Sequence, residues 1–178
     1  MNKKAVVLLS GGIDSTVTAA FAKSQNYIVA CLTVDYGQRN RFEIESAKKI
    51  ADSLGVFSHK LINIDLRAIG GSALTSEIDV PKDRNIGSEI ANIPITYVPA
   101  RNTIFLSIAS AWAEVLNACD IFIGVNAVDY SGYPDCREPF IKSFEQTINL
   151  GTKAGIEGKT RFKIHTPLLD MNKKDIVL

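Results

Sequence analysis

Two glycines set among hydroxyls and a carboxylate, in the string Ser10-Gly11-Gly12-Ile13-Asp14-Ser15-Thr16, are the residues best suited to chemistry on an anion. The string follows an apolar run over residues 5–9 and precedes a helical pattern beginning near Val17, so it falls in a strand-to-helix turn. Glycines there let the backbone turn sharply and bring its N–H groups close to a phosphate. The helix aims its unpaired N–H groups and positive dipole end at the same point. Ser10, Ser15 and Thr16 add hydroxyl donors, and Leu8, Leu9 and Ile13 complete the backbone expected to line a bound nucleotide. A GxxxxGK(S/T) loop needs a lysine and none is present here, so phosphate is expected to be held by backbone and hydroxyls. Asp14 would repel phosphate unless it capped the helix or held a divalent cation, and one of these roles, with Mg²⁺ as the cation, is expected of it.

Three further stretches offer polar chemistry. In Asp35-Tyr36-Gly37-Gln38-Arg39, Tyr36 presents an aromatic face to a purine and Gln38 a two-way amide, while Arg39 and Arg41 suit phosphate or carboxylate. Arg101 and Asn102 follow the proline-stiffened Val98-Pro99-Ala100, where Arg101 suits a bidentate anion contact and Asn102 a contact or a helix cap. The loop Asp129-Tyr130-Ser131-Gly132-Tyr133-Pro134-Asp135-Cys136-Arg137 gathers acids, aromatics and an arginine. A guanine-like edge carries two parallel donors that a carboxylate meets with both oxygens, which makes Asp129 and Asp135 candidate base readers and Tyr133 a stacking surface. Arg137 would pair a substrate carboxylate or the charge developing at an α-phosphate. Lys163 is a candidate for neutralising released pyrophosphate. Cys136 has no histidine near it in sequence, so covalent catalysis is not expected.

The elements that must position these residues alternate. Strands are expected over residues 5–9, 27–34, 56–64, 120–125 and 162–169, and helices over 14–25, 40–54, from Asn102 or Thr103 onward, 139–151 and from Asn172. Val17, Ala20, Phe21 and Ser24 mark the expected inner face of the first helix, and Ile104, Phe105, Ile108, Ala111, Trp112 and Val115 that of the third. Residues 65–94 lose periodicity and are expected to form an active-site flap. The alternation predicts an α/β fold, a Rossmann-like three-layer sandwich with a mainly parallel five-stranded sheet. Ligands then bind beyond the carboxyl ends of the strands, where the polar stretches converge.

At 178 residues and 46% hydrophobic content the chain suits one globular domain, and its formal net charge of +1 provides no electrostatic footprint for a large nucleic acid. No apolar run is long enough to span a membrane, so a cytoplasmic location is expected. Cys31, Cys119 and Cys136 are widely spaced without a CxxC pair, which encodes neither a disulfide framework nor a zinc knuckle. His59 and His165 are read as structural.

The string Ser10 to Ser15 resembles the SGGxDS loop of the N-type ATP pyrophosphatases, the PP-loop superfamily, whose domains are adenine nucleotide alpha hydrolase-like. With LLSGGIDST, the VDYGQR segment, VPARN and SGYPDCR together, the chain resembles the 7-cyano-7-deazaguanine synthase (QueC) family of queuosine biosynthesis from Val6 through Lys174. The resemblance implies a ligase that converts 7-carboxy-7-deazaguanine and ammonia to the nitrile, using ATP with Mg²⁺ and releasing AMP and pyrophosphate. It implies small-molecule partners, no nucleic acid or membrane, and a homodimer. It also implies Zn²⁺ on a C-terminal cluster of four cysteines. That cluster is not in this sequence, so residues 1–178 read as a single PP-loop domain whose zinc-binding end is absent. Other readings are a different PP-loop amidating or tRNA-modifying ligase, or a nucleotide-binding protein that does not cleave ATP.

Overall fold

The computed structural model describes residues 3–38, 42–72, 93–94, 96–126, 133–158 and 161–177. Expectations placed on Arg39, Asn40, Arg41, Asp129 and residues 73–92 of the flap lie outside them. The strands are β1 (Lys4–Leu8), β2 (Ile28–Asp35), β3 (Ser58–Asn63), β4 (Asp120–Phe122) and β5 (Lys163–His165), all parallel, in the order β3-β2-β1-β4-β5. Val6 pairs with Ala30 on one side and Ile121 on the other. The helices are α1 (Ile13–Ser24), α2 (Phe42–Ser53), α3 (Arg101–Leu116), α4 (Glu138–Gly151), α5 (Lys153–Ile156) and α6 (Lys173–Val177).

The central strands are apolar on both faces because helices cover both. Ala5, Val7 and Leu9 meet Ala19 and Ala22 of α1 and Ala47 and Ala51 of α2. Val6 and Leu8 meet the opposite layer, built from Leu106 and Ala109 of α3 and Ile141, Phe144 and Ile148 of α4. This is the expected three-layer α/β sandwich. The chain steps outward from β1 to β3 in one direction and from β4 to β5 in the other, so the topological switch lies between β1 and β4. No helix of the described residues is long and apolar enough to cross a membrane.

Two helix faces differ from expectation, α3 only in part, since Trp112 is in the core and Ile104, Phe105 and Ile108 pack on it. The buried side of α1 consists of Ser15, Thr18, Ala19 and Ala22, while Phe21 is 43% exposed. A Cβ on Gly124, just past β4, would lie 2.9 Å from the Asp14 carbonyl oxygen and the Thr18 hydroxyl, so α1 lies too close to the sheet for large residues. Similarly Leu106, Ala109 and Ala113 form the most buried part of α3, with Ala111 and Val115 in solvent. Close packing of helix on strand selected small side chains, which a search for large apolar residues passes over. Gly155, expected in a loop, lies within α5 beneath the Asn149 carbonyl.

Both histidines are structural. Thr33 Oγ1 donates to the Leu9 carbonyl at 2.7 Å, so His59 Nε2, 2.8 Å away, must donate to Thr33, and burial holds its pKa below the ordinary value. His165 Nε2 lies 2.6 Å from Asp120 Oδ1 and its ring stacks on Phe122. Burial pushes the Asp120 carboxyl up, but the His165 hydrogen bond and charge, with Lys3 and Tyr27, outweigh it and leave the pKa lowered. A depressed carboxylate stabilises the fold above its unfolded pKa and loses that contribution as pH falls through the folded one. Asp120→Ala is therefore expected to cost about 2 kcal/mol near pH 7. The gap to the unmodified protein should close as pH falls below the ordinary aspartate value of 3.8, read as urea midpoints from pH 7 down to pH 3.

Candidate active site at the phosphate loop

The Ser10 to Thr16 loop is braced from within. Ser15 Oγ donates to the Gly12 carbonyl at 2.9 Å, so in its 3.0 Å contact with Ser10 Oγ the Ser10 hydroxyl is the donor. Ser15 Oγ also accepts from Ser10 N–H at 3.1 Å, and Thr16 Oγ1 donates to the Gly12 carbonyl at 2.8 Å. These hydroxyls fix the loop's shape. The residue ahead of α1, Gly12, makes no side-chain cap, so the first-turn N–H groups of Ile13, Asp14 and Ser15 have no partner within the helix. Gly11, at φ +89°, is held against α2, where Ser46 Oγ donates to its carbonyl at 3.1 Å.

The loop opens on a cavity of about 390 Å³ at the carboxyl ends of β1, β2 and β4. Leu8, Leu9, Ser10, Gly12, Ile13, Asp14 and Ser15 line it, as do Tyr36, Gln38, Arg101, Asn102 and Tyr133. The separate stretches named from sequence therefore share one wall. Arg101 Cζ sits 5.9 Å from the centroid of the Tyr36 ring, which also meets the tilted ring of Phe105. Gln38 Oε1 accepts from Tyr36 N–H at 3.0 Å, bracing the turn with one end of its amide. Tyr133 Oη is 2.6 Å from Thr96 Oγ1. A larger opening of about 500 Å³, lined by residues such as Lys3, Tyr27, Phe122 and His165, contains no part of the glycine loop.

Other predicted residues are placed differently. Asp135 is buried and does not line the cavity; its Oδ2 accepts from Asn102 N–H at 3.0 Å, while Asn102 Nδ2 donates to the Asp135 carbonyl at 3.2 Å. This reciprocal clamp caps α3, whose preceding residue, Ala100, is left-handed at φ +53° and offers no side-chain cap. The carboxylate expected to read a base thus holds the turn that presents Arg101. Arg137 is exposed outside the cavity lining. Lys163, also exposed, is paired with Asp120 at the start of the edge strand β5, at the end of the sheet away from the loop.

Lys173, missed from sequence, takes the cationic position. Its Nζ lies 2.8 Å from both carboxylate oxygens of Asp14, so Asp14 is ion-paired and caps nothing among the described contacts. The signal was present in the order of elements. A helix that follows β5 must start at the carboxyl end of the sheet, and Asn172, accepting from Asp175 N–H at 3.1 Å, caps that start one residue before Lys173. Glu43, Phe105 and Gly124 also line the cavity and were not singled out.

The donor set fits Mg²⁺ with a nucleotide: one carboxylate, Asp14, beside loop N–H groups that would hold phosphate, as this ion prefers few protein ligands plus phosphates and water. It does not fit zinc. Among the described residues no group of three or more His, Cys, Asp or Glu lies together. Burial pushes the Cys31 and Cys136 thiols up to about 12 and about 11, against thiolate formation.

The family model for "Queuosine biosynthesis protein QueC" matches residues 4–178. The chain is 60% identical over 175 residues to a 7-cyano-7-deazaguanine synthase of Syntrophus aciditrophicus, covering 98% of this chain and 76% of that protein. It is 57% identical to the protein of that name from Desulfatibacillum aliphaticivorans, covering 98% and 75%. The chain thus spans about three quarters of these relatives. Among solved structures, a predicted subunit of a tRNA methyltransferase from Methanocaldococcus jannaschii superposes with a TM-score of 0.60 at 19% identity, covering 98% of this chain and 72% of that one, a likeness of fold. With a braced SGGxDS loop on a parallel α/β sheet and relatives this similar across its length, the chain belongs to the QueC family of PP-loop proteins.

Proposed function

We propose that the protein is an ATP-dependent ligase converting 7-carboxy-7-deazaguanine and ammonia to 7-cyano-7-deazaguanine in queuosine biosynthesis, with release of AMP and pyrophosphate. The observation that carries this reading is the fixed phosphate cradle opening on an aromatic and arginine-lined cavity, in a chain 60% identical to a synthase of that name. The substrate carboxylate attacks the α-phosphate of ATP and displaces pyrophosphate into the loop. Ammonia converts the acyl adenylate to an amide. Adenylation of the amide oxygen then lets AMP leave as the nitrile forms.

The residues contribute by position and charge, since the one thiol among the described lining residues, Cys136, is kept protonated by burial. The Gly11-Gly12 backbone and the first-turn N–H groups of α1 hold the β- and γ-phosphates. Arg101, steadied over Tyr36, faces the α-phosphate and the substrate carboxylate. Asp14 would hold Mg²⁺, which when bound neutralises phosphate charge. Lys173, displaced from Asp14, would follow the leaving pyrophosphate, the task first assigned to Lys163. Tyr133, Asp129 and Arg137 are assigned to the deazaguanine, and Asp135 to positioning Arg101. The proposed setting is cytoplasmic, with residues 1–178 acting as one PP-loop domain of a homodimer on small molecules, without nucleic acid or membrane.

Pyrophosphate and AMP are expected to appear when 7-carboxy-7-deazaguanine is supplied with ATP and Mg²⁺, and tRNA should not replace it. Release driven by tRNA or by an unrelated acid would transfer the protein to another PP-loop activity, and no release at all would mark a binding protein. Lys173→Ala is expected to lower kcat/KM for ATP about 10- to 100-fold in the same assay, as lost charge-assisted contacts do.

A further inference from the structure

We infer that Glu43 is the general base of this site, the carboxylate that takes the nitrogen-bound protons as ammonia becomes an amide and the amide becomes a nitrile; this rests on the ligase reading above. The chemistry requires such a group. Ammonium must lose a proton before it can attack. When ammonia adds to the acyl adenylate, a C–N bond forms, the C–O bond to AMP breaks and a further proton leaves nitrogen. In the second round the amide oxygen bonds to the α-phosphorus and pyrophosphate departs, giving a protonated imidate. Breaking its C–O bond to AMP yields the C≡N triple bond only if both remaining N–H protons are removed.

Geometry places Glu43 for that task. The first turn of α2 is fixed to the phosphate loop: Ser46 Oγ bonds the Gly11 carbonyl, and a Cβ on Gly11 would come within 2.1 Å of the Glu43 carbonyl oxygen. Glu43, half-buried, lines the cavity beside the cradle, where the Arg101 charge acts on it. Among the described residues, the neighbouring carboxylates and the Cys136 thiol are engaged or protonated. Asp14 is bridged by Lys173, Asp135 is held by Asn102 N–H, and the Cys136 thiol is kept protonated by burial. No described histidine lines the cavity.

Arg101 of α3 and Asp14 of α1 line the same space, as do Tyr36 and Tyr133; on its own helix Glu45, Lys48 and Lys49 are exposed. Burial raises the Glu43 pKa against the opposing pull of Arg101, which moves a carboxylate toward the range where a base works well near neutral pH.

The test compares Glu43→Gln with the unmodified chain in separate half-reactions. Single-turnover pyrophosphate release from ATP and 7-carboxy-7-deazaguanine, without ammonium, should change no more than about threefold. Conversion of the supplied carboxamide to the nitrile should fall about 100-fold or more, with the acid limb of its pH profile lost and Glu43→Asp recovering part of the rate. Nitrile formation by Glu43→Gln at the unmodified rate would overturn the assignment. So would equal losses in both half-reactions, the signature of a nucleotide-binding or structural role. Failure of the unmodified chain to release pyrophosphate with this acid would bring down the ligase reading itself, and is seen without any substitution.

Discussion

Gly11→Ala is expected to lower pyrophosphate release about 100-fold or more. Gly11 has φ +89°, a conformation that costs an alanine roughly 1–2 kcal/mol. The added carbon would also lie 2.1 Å from the Glu43 carbonyl oxygen and 2.9 Å from the Ala47 nitrogen, both backbone atoms of α2. Neither can yield without moving the helix, so the loop must move instead. A shift of about 1 Å in a cradle whose donors are fixed to the backbone is enough for a loss of this size. The neighbouring residue is the control. At Gly12 the nearest atom to an added Cβ is the Ser10 hydroxyl at 3.5 Å and φ is −80°, so Gly12→Ala should melt close to the unmodified protein. Comparing both variants by thermal melting and pyrophosphate release separates loop geometry from glycine content. Normal turnover in Gly11→Ala would show that the loop reshapes freely.

Asp135→Ala should destabilise the fold by about 2–3 kcal/mol, because it removes a buried charged acceptor and leaves the Asn102 N–H unpaired. It should also raise KM for ATP, since Arg101 sits one residue before Asn102 and depends on the same turn. Asp135→Asn keeps an acceptor oxygen and should recover much of the stability, which urea midpoints would reveal. A carboxylate that only read a base in solvent would produce the opposite pattern, with unchanged stability and a selective loss of substrate affinity.

The contrast between these two positions shows what the sequence made legible. Gly11 could be read because φ > 0 and close approach leave glycine as their trace, and the parallel sheet could be read because strands buried on both faces appear as near-continuous apolar runs such as residues 27–34. The convergence of the loop, Tyr36, Arg101 and Tyr133 followed from topology alone. Asp135 was legible as important, but its bond to Asn102 N–H was not, because that partner lies 33 residues away and no local pattern encodes the pairing. Lys173 was missed for the same reason: its contact with Asp14 spans 159 residues. The inner face of α1 was misplaced, and that of α3 in part, at Ala111 and Val115, because close packing is made largely with alanine, serine and threonine, residues that carry little periodic signal.

The central claim is that a carboxylate attacks the α-phosphate of ATP held at Ser10 to Thr16. It is tested most directly with 7-carboxy-7-deazaguanine carrying ¹⁸O in both carboxylate oxygens. Mass spectrometry of the AMP should find one ¹⁸O in each molecule, the first oxygen leaving with the acyl adenylate and the second with the adenylated amide, while the nitrile retains neither. Unlabelled AMP, or ADP with labelled phosphate, would contradict attack at the α-phosphate.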